Sequence, residues 1–312
     1  MKPTDSWIQA QRLGGLRRFA VAITVFNLLG HTVFGFEQSW AQPLAALITA
    51  YACELFVEWI DAITSARKPR FLGSLPRFID CLLPAHITGL AVAMLLYSSD
   101  RLLPVMFAAA VAIASKATIR LTLSGRTRHI LNPSNFGITV TLLLFPWVGI
   151  APPYHFTENL PATGSWVLPL IICASGTMVN LRFTRRMPLI LAWVIGFFIQ
   201  AIVRSLLFGT PIIAALNPMT GVAFILFTFY MITDPATSPF GTQGQIMFGF
   251  AVAACYGLLV YVHVVFGMFF ALTTVSGVRG VVLCMQNFGR SVYLTGVPAH
   301  ATATATQKPI ST

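Results

Sequence analysis

Apolar residues run along this chain in long blocks separated by short polar pieces. Ten blocks lie near 19–36, 41–63, 81–98, 102–119, 135–151, 165–181, 187–208, 212–232, 245–261 and 263–283. Each reaches or approaches the roughly 20 helical residues that cross a hydrocarbon core of about 30 Å. The pattern predicts an all-α polytopic membrane protein of about ten transmembrane helices. The last two blocks are nearly continuous, so the boundary between them is weakly marked. A cytoplasmic N-terminal tail is expected over 1–18, a transmembrane domain over 19–285 and a C-terminal tail over 286–312. The Thr/Ala/Pro-rich end of that last tail is expected to be disordered.

Composition agrees with the block pattern. Hydrophobic residues make up 56% of the chain and charged residues only 9%, against about 25% charged in a soluble domain. A net charge of +11 would point to nucleic acid in a soluble protein. Here the positions of the charges explain it. With the N-terminus inside, the cytoplasmic pieces are the tail, 64–80, 116–130, 182–186, 233–244 and the C-terminal end. With Arg279, near the inner end of the last block, counted with the C-terminal end, they hold every Lys and Arg except Arg101 and Arg204. That asymmetry predicts cytoplasmic termini and needs no nucleic-acid partner. The basic start has no small-residue cleavage site after its apolar run, so no cleavable signal peptide is expected. Cys53, Cys81, Cys173, Cys255 and Cys284 are odd in number and lack a Cys-x-x-Cys pair, so they read as packing residues.

Polar chemistry concentrates in two stretches. Gly125–Gly137 carries Arg126, Arg128, His129 and then Leu131-Asn132-Pro133. The second starts Leu216-Asn217-Pro218-Met219-Thr220 and ends around Thr233-Asp234-Pro235. Each sets Asn-Pro against an apolar run, where a helix breaks or opens and frees backbone groups. The echo suggests two pseudo-repeated halves, though a match this short also arises by chance. Lys116, Arg120, Arg126, Arg128 and His129 form a basic cluster beside the first stretch. It is either the ordinary cytoplasmic excess of charge or a seat for an anion, such as the phosphate of flavin mononucleotide. The following helix N-terminus would face the same anion. Asp234 sits in a cytoplasmic loop with no basic residue of its own. It is a turn-capping residue, or it faces the 116–130 cluster or a ligand.

Glu54, Glu58 and Asp61 share one helical face at spacings of four and three. Such charges in an apolar helix pair with cations, bind an ion or take up protons. Asp61 is expected to pair with the loop cations near Arg67. Glu54 and Glu58 are the candidates for ion or proton handling. His31, His86 and His263 lack the spacing of a helical metal site, so no metal is expected.

At Gly125–Pro133 and at Phe229-Tyr230-Met231-Ile232-Thr233-Asp234-Pro235-Ala236-Thr237-Ser238-Pro239 the chain resembles the RnfD/NqrB family. Those are membrane subunits of the Rnf electron-transport complex and of the sodium-translocating NADH:quinone oxidoreductase. The likeness covers roughly 40–285. The run Leu131–Leu160 is similar to an RnfD-like branch associated with enediyne antibiotic biosynthesis. The resemblance implies a bacterial cytoplasmic-membrane protein working in electron transport, with flavin and quinone as cofactors. Partners would be other redox proteins or biosynthetic enzymes. The family attaches flavin mononucleotide to the Thr of a Ser-Gly-Ala-Thr motif in an outer loop. Here the loop 152–164 offers only Thr157 and Thr163, and Ser175-Gly176-Thr177 lies inside a span. Covalent flavin is therefore not expected; FMN or riboflavin held non-covalently, or quinone, remain. The cofactor-binding candidates are Arg126, Arg128, Asn132, Asn217, Thr220 and Asp234, as binding groups without a catalytic role. With no catalytic motif of its own, the chain reads as a subunit of a membrane oxidoreductase. The rival function is a transporter on the same scaffold, with Glu54 and Glu58 coupling to ions; a membrane anchor for soluble enzymes ranks below both.

Overall fold

A computed structural model describes residues 5–123, 126–152, 159 and 166–295, the side chains of 5–12, 123, 126 and 287–295 excepted. Lys2, Gly125, Thr157, Thr163, Lys308 and the tail from 296 lie outside the described residues, as do the side chains of Arg12, Arg126 and Arg290.

Among the described residues, eleven α-helices follow the apolar blocks. They are α1 (Asp5–Leu29), α2 (Ala41–Thr64), α3 (Leu75–Leu95), α4 (Leu103–Thr118), α5 (Pro133–Leu144), α6 (Val167–Val179), α7 (Met187–Phe208), α8 (Ile212–Leu216), α9 (Val222–Leu226), α10 (Thr242–Tyr261) and α11 (Gly267–Thr295). Among the described residues, seven helical segments are long and apolar enough to cross a membrane. An eighth is counted if Ile212–Thr220 and Val222–Met231, bent by 69° at Gly221, form one span. The blocks at 102–119 and 135–151 are helices of only 16 and 12 residues. At 1.5 Å per residue they rise about 24 and 18 Å, short of a full crossing alone. The N-terminal tail is not wholly outside the helices, because α1 already starts at Asp5. At the other end α11 runs on to Thr295.

The second helix, α2, is inside out compared with a helix of a water-soluble bundle. Along α2 the buried positions, Pro43 aside, are Gln42, Ala46, Ala50, Glu54, Glu58 and Ala62, recurring every four residues. Leu44, Ile48, Phe56 and Ile63 on the other side are exposed. Small and polar residues pack inward and large apolar ones face out, as expected when the solvent is lipid. Apolar contact with a bilayer is the direct consequence.

Helix ends are built by specific local geometry. A π turn over Gly30–Phe34 extends α1, and Gly35 closes it at φ 75°. That left-handed value suits glycine because it has no Cβ to clash. A matching π turn, Asn180–Thr184, extends α6 and ends on left-handed Arg185. Between α10 and α11 the chain reverses through His263 and Phe266, both at positive φ. This tight turn explains why the last two apolar blocks look continuous.

Packing repeats in order. α1 lies on α3, α2 on α4 and α4 on α5; α6 lies on α9, α7 on α10 and α10 on α11. α5 and α11 join the two sets. Two short antiparallel pairs complete the fold. β1 (Leu96–Tyr97) pairs with β4 (Gly149–Ile150), and β2 (Arg120–Leu123) pairs with β3 (Arg126–His129). The second pair forms a hairpin between the end of α4 and the start of α5.

Candidate functional site

Asn132 starts α5. Its Oδ1 accepts the Asn135 backbone N–H at 3.0 Å, which caps the helix. Its Nδ2 donates to the Met231 carbonyl at 3.2 Å. One side chain thus ties the first Asn-Pro stretch to the end of the second. Just before it, His129 Nε2 lies 3.7 Å from Asp234 Oδ2. The lone acid of the 233–244 loop therefore faces the basic cluster.

Asp234 organises its own loop. Oδ1 accepts the Ala236 N–H, Oδ2 accepts the Thr237 hydroxyl, and its carbonyl accepts the Ser238 hydroxyl. Burial alone would raise the carboxyl. The bond and charge of His129, with the Ala236 and Thr237 donors, outweigh that and hold it below its ordinary 3.8. Its stabilising charge is present above 3.8 and is lost as pH falls through the lower folded value. Asp234→Ala strands these donors; we expect a loss of about 2–3 kcal/mol, read as a lower unfolding midpoint at neutral pH. The difference from wild type should shrink below pH 3.8.

Three guanidinium groups close on this loop. Arg186 is 1% exposed and donates to the carbonyls of Pro239 and Pro235. Arg279, from α11, donates to the Thr237 carbonyl at 2.8 Å. Arg128 and Arg186 lie over the Phe240 ring, 4.7 and 4.8 Å from its centroid, within cation–π range. Phe240 is itself exposed. Burial lowers the Arg186 guanidinium, Asp234 opposes the shift, and the charges of Arg279 and Arg128 lower it further. Positive charge here exceeds what one carboxylate balances. Arg186 Nε is buried with no hydrogen-bond partner among the described residues. Asn135 Oδ1 and Ser276 Oγ are likewise buried and unpartnered. Such groups are rare in native folds unless water or a ligand meets them.

The hairpin splits the predicted basic cluster. Arg128 and His129 serve the Asp234 loop. Lys116 and Arg120 instead line a small cavity with Glu54, Glu58, Asp61 and Arg70. Lys116 Nζ reaches both Glu54 oxygens at 2.8 Å. Arg67 and Arg70 hold Glu58, and Arg67 also holds Asp61. Both ion-handling candidates therefore have cation partners. The Arg126 side chain lies outside the described residues.

Asn217 and Thr220 do not join the site. They occupy a single 3-10 turn at the 69° break, where Thr220 donates to the Asn217 carbonyl. About ten helical residues, near 15 Å, separate them from the Asp234 loop. The Asn-Pro echo thus falls on unlike structures, a helix cap in one case and a 3-10 turn in the other. Ser175 lies within α6 and pairs with the Tyr230 hydroxyl at 3.0 Å. Arg186, Arg279 and Phe240 were not singled out by sequence. No local signal separates Arg186 from its neighbours Arg182 and Arg185. No group of three or more His, Cys, Asp or Glu among the described residues is placed to hold a metal.

No protein-family model matches the chain, and no curated protein matches it, so the RnfD/NqrB likeness rests on the quoted motifs.

Proposed function

We propose that this membrane protein binds an anionic, planar redox cofactor between Arg128, Arg186, Arg279 and the Asp234 loop, as an RnfD-like electron-transport subunit. The observation that carries the reading is the convergence of three guanidiniums on the carbonyls and the Phe240 ring of the Asp234 loop, with Arg186 Nε left without a partner among the described residues. FMN fits this chemistry best, held non-covalently: its phosphate suits guanidinium donors and its ring suits exposed Phe240. Riboflavin lacks the phosphate and would bind more weakly. A quinone would use the aromatic and buried polar groups but not the full charge. Electrons would pass to a partner protein, since the chain has no NAD fingerprint.

Ten crossings with both termini cytoplasmic are part of the same reading. The contacts of Arg17 with Asp80, Lys116 with Glu54, His129 with Asp234 and Arg279 with Thr237 gather alternate helix ends on one side. The positive-inside rule assigns that side to the cytoplasm. In this reading short α5 completes its crossing through the non-helical stretch beyond it, which packs into the protein at Val148 and Ala151 while Trp147 stays exposed.

The test is a fluorescence titration of purified protein with FMN and with riboflavin. FMN should bind at least tenfold more tightly, and Arg279→Gln should remove most of that preference. Equal affinities, or an unaffected Arg279→Gln, contradict the site. A second reading, transport of an ion or small molecule, draws on the 69° break and on the repeated packing order, features shared with carriers built from duplicated halves.

A further inference from the structure

A second polar system crosses the first three helices, on the other side of the β2–β3 hairpin from the arginine site. On α2, Tyr51, Glu54 and Glu58 follow one another at three and four residues. On α1, Thr24, Asn27 and His31 do the same. Such spacing puts each set on one helical face. His86 of α3 joins the two sets. Tyr51 Oη lies 2.5 Å from His86 Nδ1, and Thr24 Oγ1 lies 2.6 Å from His86 Nε2.

The proton positions follow from the partners. The Thr24 hydroxyl donates to the Ala20 carbonyl at 2.7 Å, so its oxygen accepts at His86 and Nε2 carries the hydrogen. Nδ1 is then the acceptor for the Tyr51 hydroxyl. His86 is a neutral imidazole whose two nitrogens face opposite ways along a chain of hydrogen bonds. It lies eleven residues from the start of α3 and nine from its end, about 16 and 14 Å. That is mid-membrane.

The chain continues on both sides. Toward the basic end, Glu54 is one turn beyond Tyr51, bound to Lys116 and bordering the small cavity. Toward the other end come Asn27, His31 and Gln38. His31 Nδ1 is 2.8 Å from the Asn27 carbonyl, and Gln38 Nε2 donates to Gln42 Oε1 and to the Ala93 carbonyl. Asn27 is 5% exposed. Asn27 Oδ1, His31 Nε2 and Gln38 Oε1 are all buried with no partner among the described residues. Three orphaned polar atoms in succession fit a file of water molecules, each needing two to four polar partners.

We propose that α1–α3 hold a proton path across the membrane, with His86 as its central relay. In one passage Tyr51 gives its hydroxyl proton to Nδ1 while Nε2 gives its proton to Thr24. For this the Thr24 hydroxyl first turns from the Ala20 carbonyl and then releases its own proton to a water on the Asn27 side, while Tyr51 is re-protonated from the Glu54 side. Each group gains one proton and loses one, and no electrons move. Rotation of the hydroxyls and a flip of the His86 ring, in place of back-transfer of the proton, reset the chain. The path does not depend on the cofactor reading.

The test uses the full chain in liposomes with a trapped pH dye and a potassium diffusion potential set by valinomycin. Wild-type vesicles should move protons at least tenfold faster than protein-free ones. Tyr51→Phe removes one hydroxyl, keeps the ring and should lower that rate at least tenfold; His86→Gln should do the same. Should His86→Gln fail to fold, Tyr51→Phe still decides. Nitrogen NMR of labelled histidine should show His86 protonated at Nε2, with its Nδ1 signal shifted in Tyr51→Phe. Wild-type flux no faster than protein-free vesicles, or undiminished flux in Tyr51→Phe, overturns the path. So does a His86 protonated at Nδ1.

Discussion

Lys116→Met should destabilise the protein by about 3–5 kcal/mol, the range for removing one partner of a buried ion pair. Glu54 is 8% exposed at its side chain, and Lys116 covers both of its oxygens. Methionine fills a similar volume but leaves the carboxylate uncompensated in an apolar helix face. Arg70 lines the same cavity but is already committed to Glu58, so it offsets little. Adding Glu54→Gln should recover most of the loss, because a neutral amide no longer needs the cation. Unfolding midpoints of the two single variants and the double variant give the coupling directly. A double variant no better than Lys116→Met would mean that the pair does not act as a unit.

Gly137→Val should be at least as damaging. A Cβ at 137 would stand 2.3 Å from the Ala108 carbonyl oxygen and 2.9 Å from Ala112 Cβ. Backbone cannot move aside as a flexible side chain does, so α4 and α5 must separate. Overpacking typically costs about 1–3 kcal/mol and occasionally more; backbone contact sets this case at about 3 or above. The consequence reaches the site, because α5 is capped by Asn132 and carries Asn135. Detergent-solubilised Gly137→Val should therefore lose FMN binding as well as stability. Wild-type behaviour in both measurements would mean that the close crossing of α4 and α5 is not required.

The apolar blocks made the helices legible, since a lipid solvent leaves little alternative to long apolar helices. The number of crossings was less legible. Hydropathy does not reveal that α5 stops at Leu144 and gives way to a short strand, or that 212–231 is bent. That Asp234 could face the 116–130 cluster was one of the readings open in advance, because the acid stood alone in its loop; that His129 is the member it meets comes from the fold. Lys116 was placed with the wrong group: sequence proximity set it beside Arg128, whereas the end of α4 turns it to Glu54. Arg186, Phe240 and Arg279 come from three distant segments, and only tertiary packing brings them together. The Asn-Pro echo misled for the opposite reason, since the same two residues cap a helix at 132 and make a 3-10 turn at 217. Sequence spacing set His86 apart from a metal site, and only packing shows Tyr51 and Thr24 on its two nitrogens.

The claim that the arginine site holds an anionic redox cofactor is tested most directly by the absorbance spectrum of the detergent-purified protein, before and after acid precipitation. The account predicts a flavin spectrum that is released into the supernatant on precipitation, as for a non-covalently held FMN. Yellow colour kept in the pellet would contradict the non-covalent assignment. A colourless protein that takes up neither FMN nor quinone would contradict the redox reading and leave transport as the function of the scaffold.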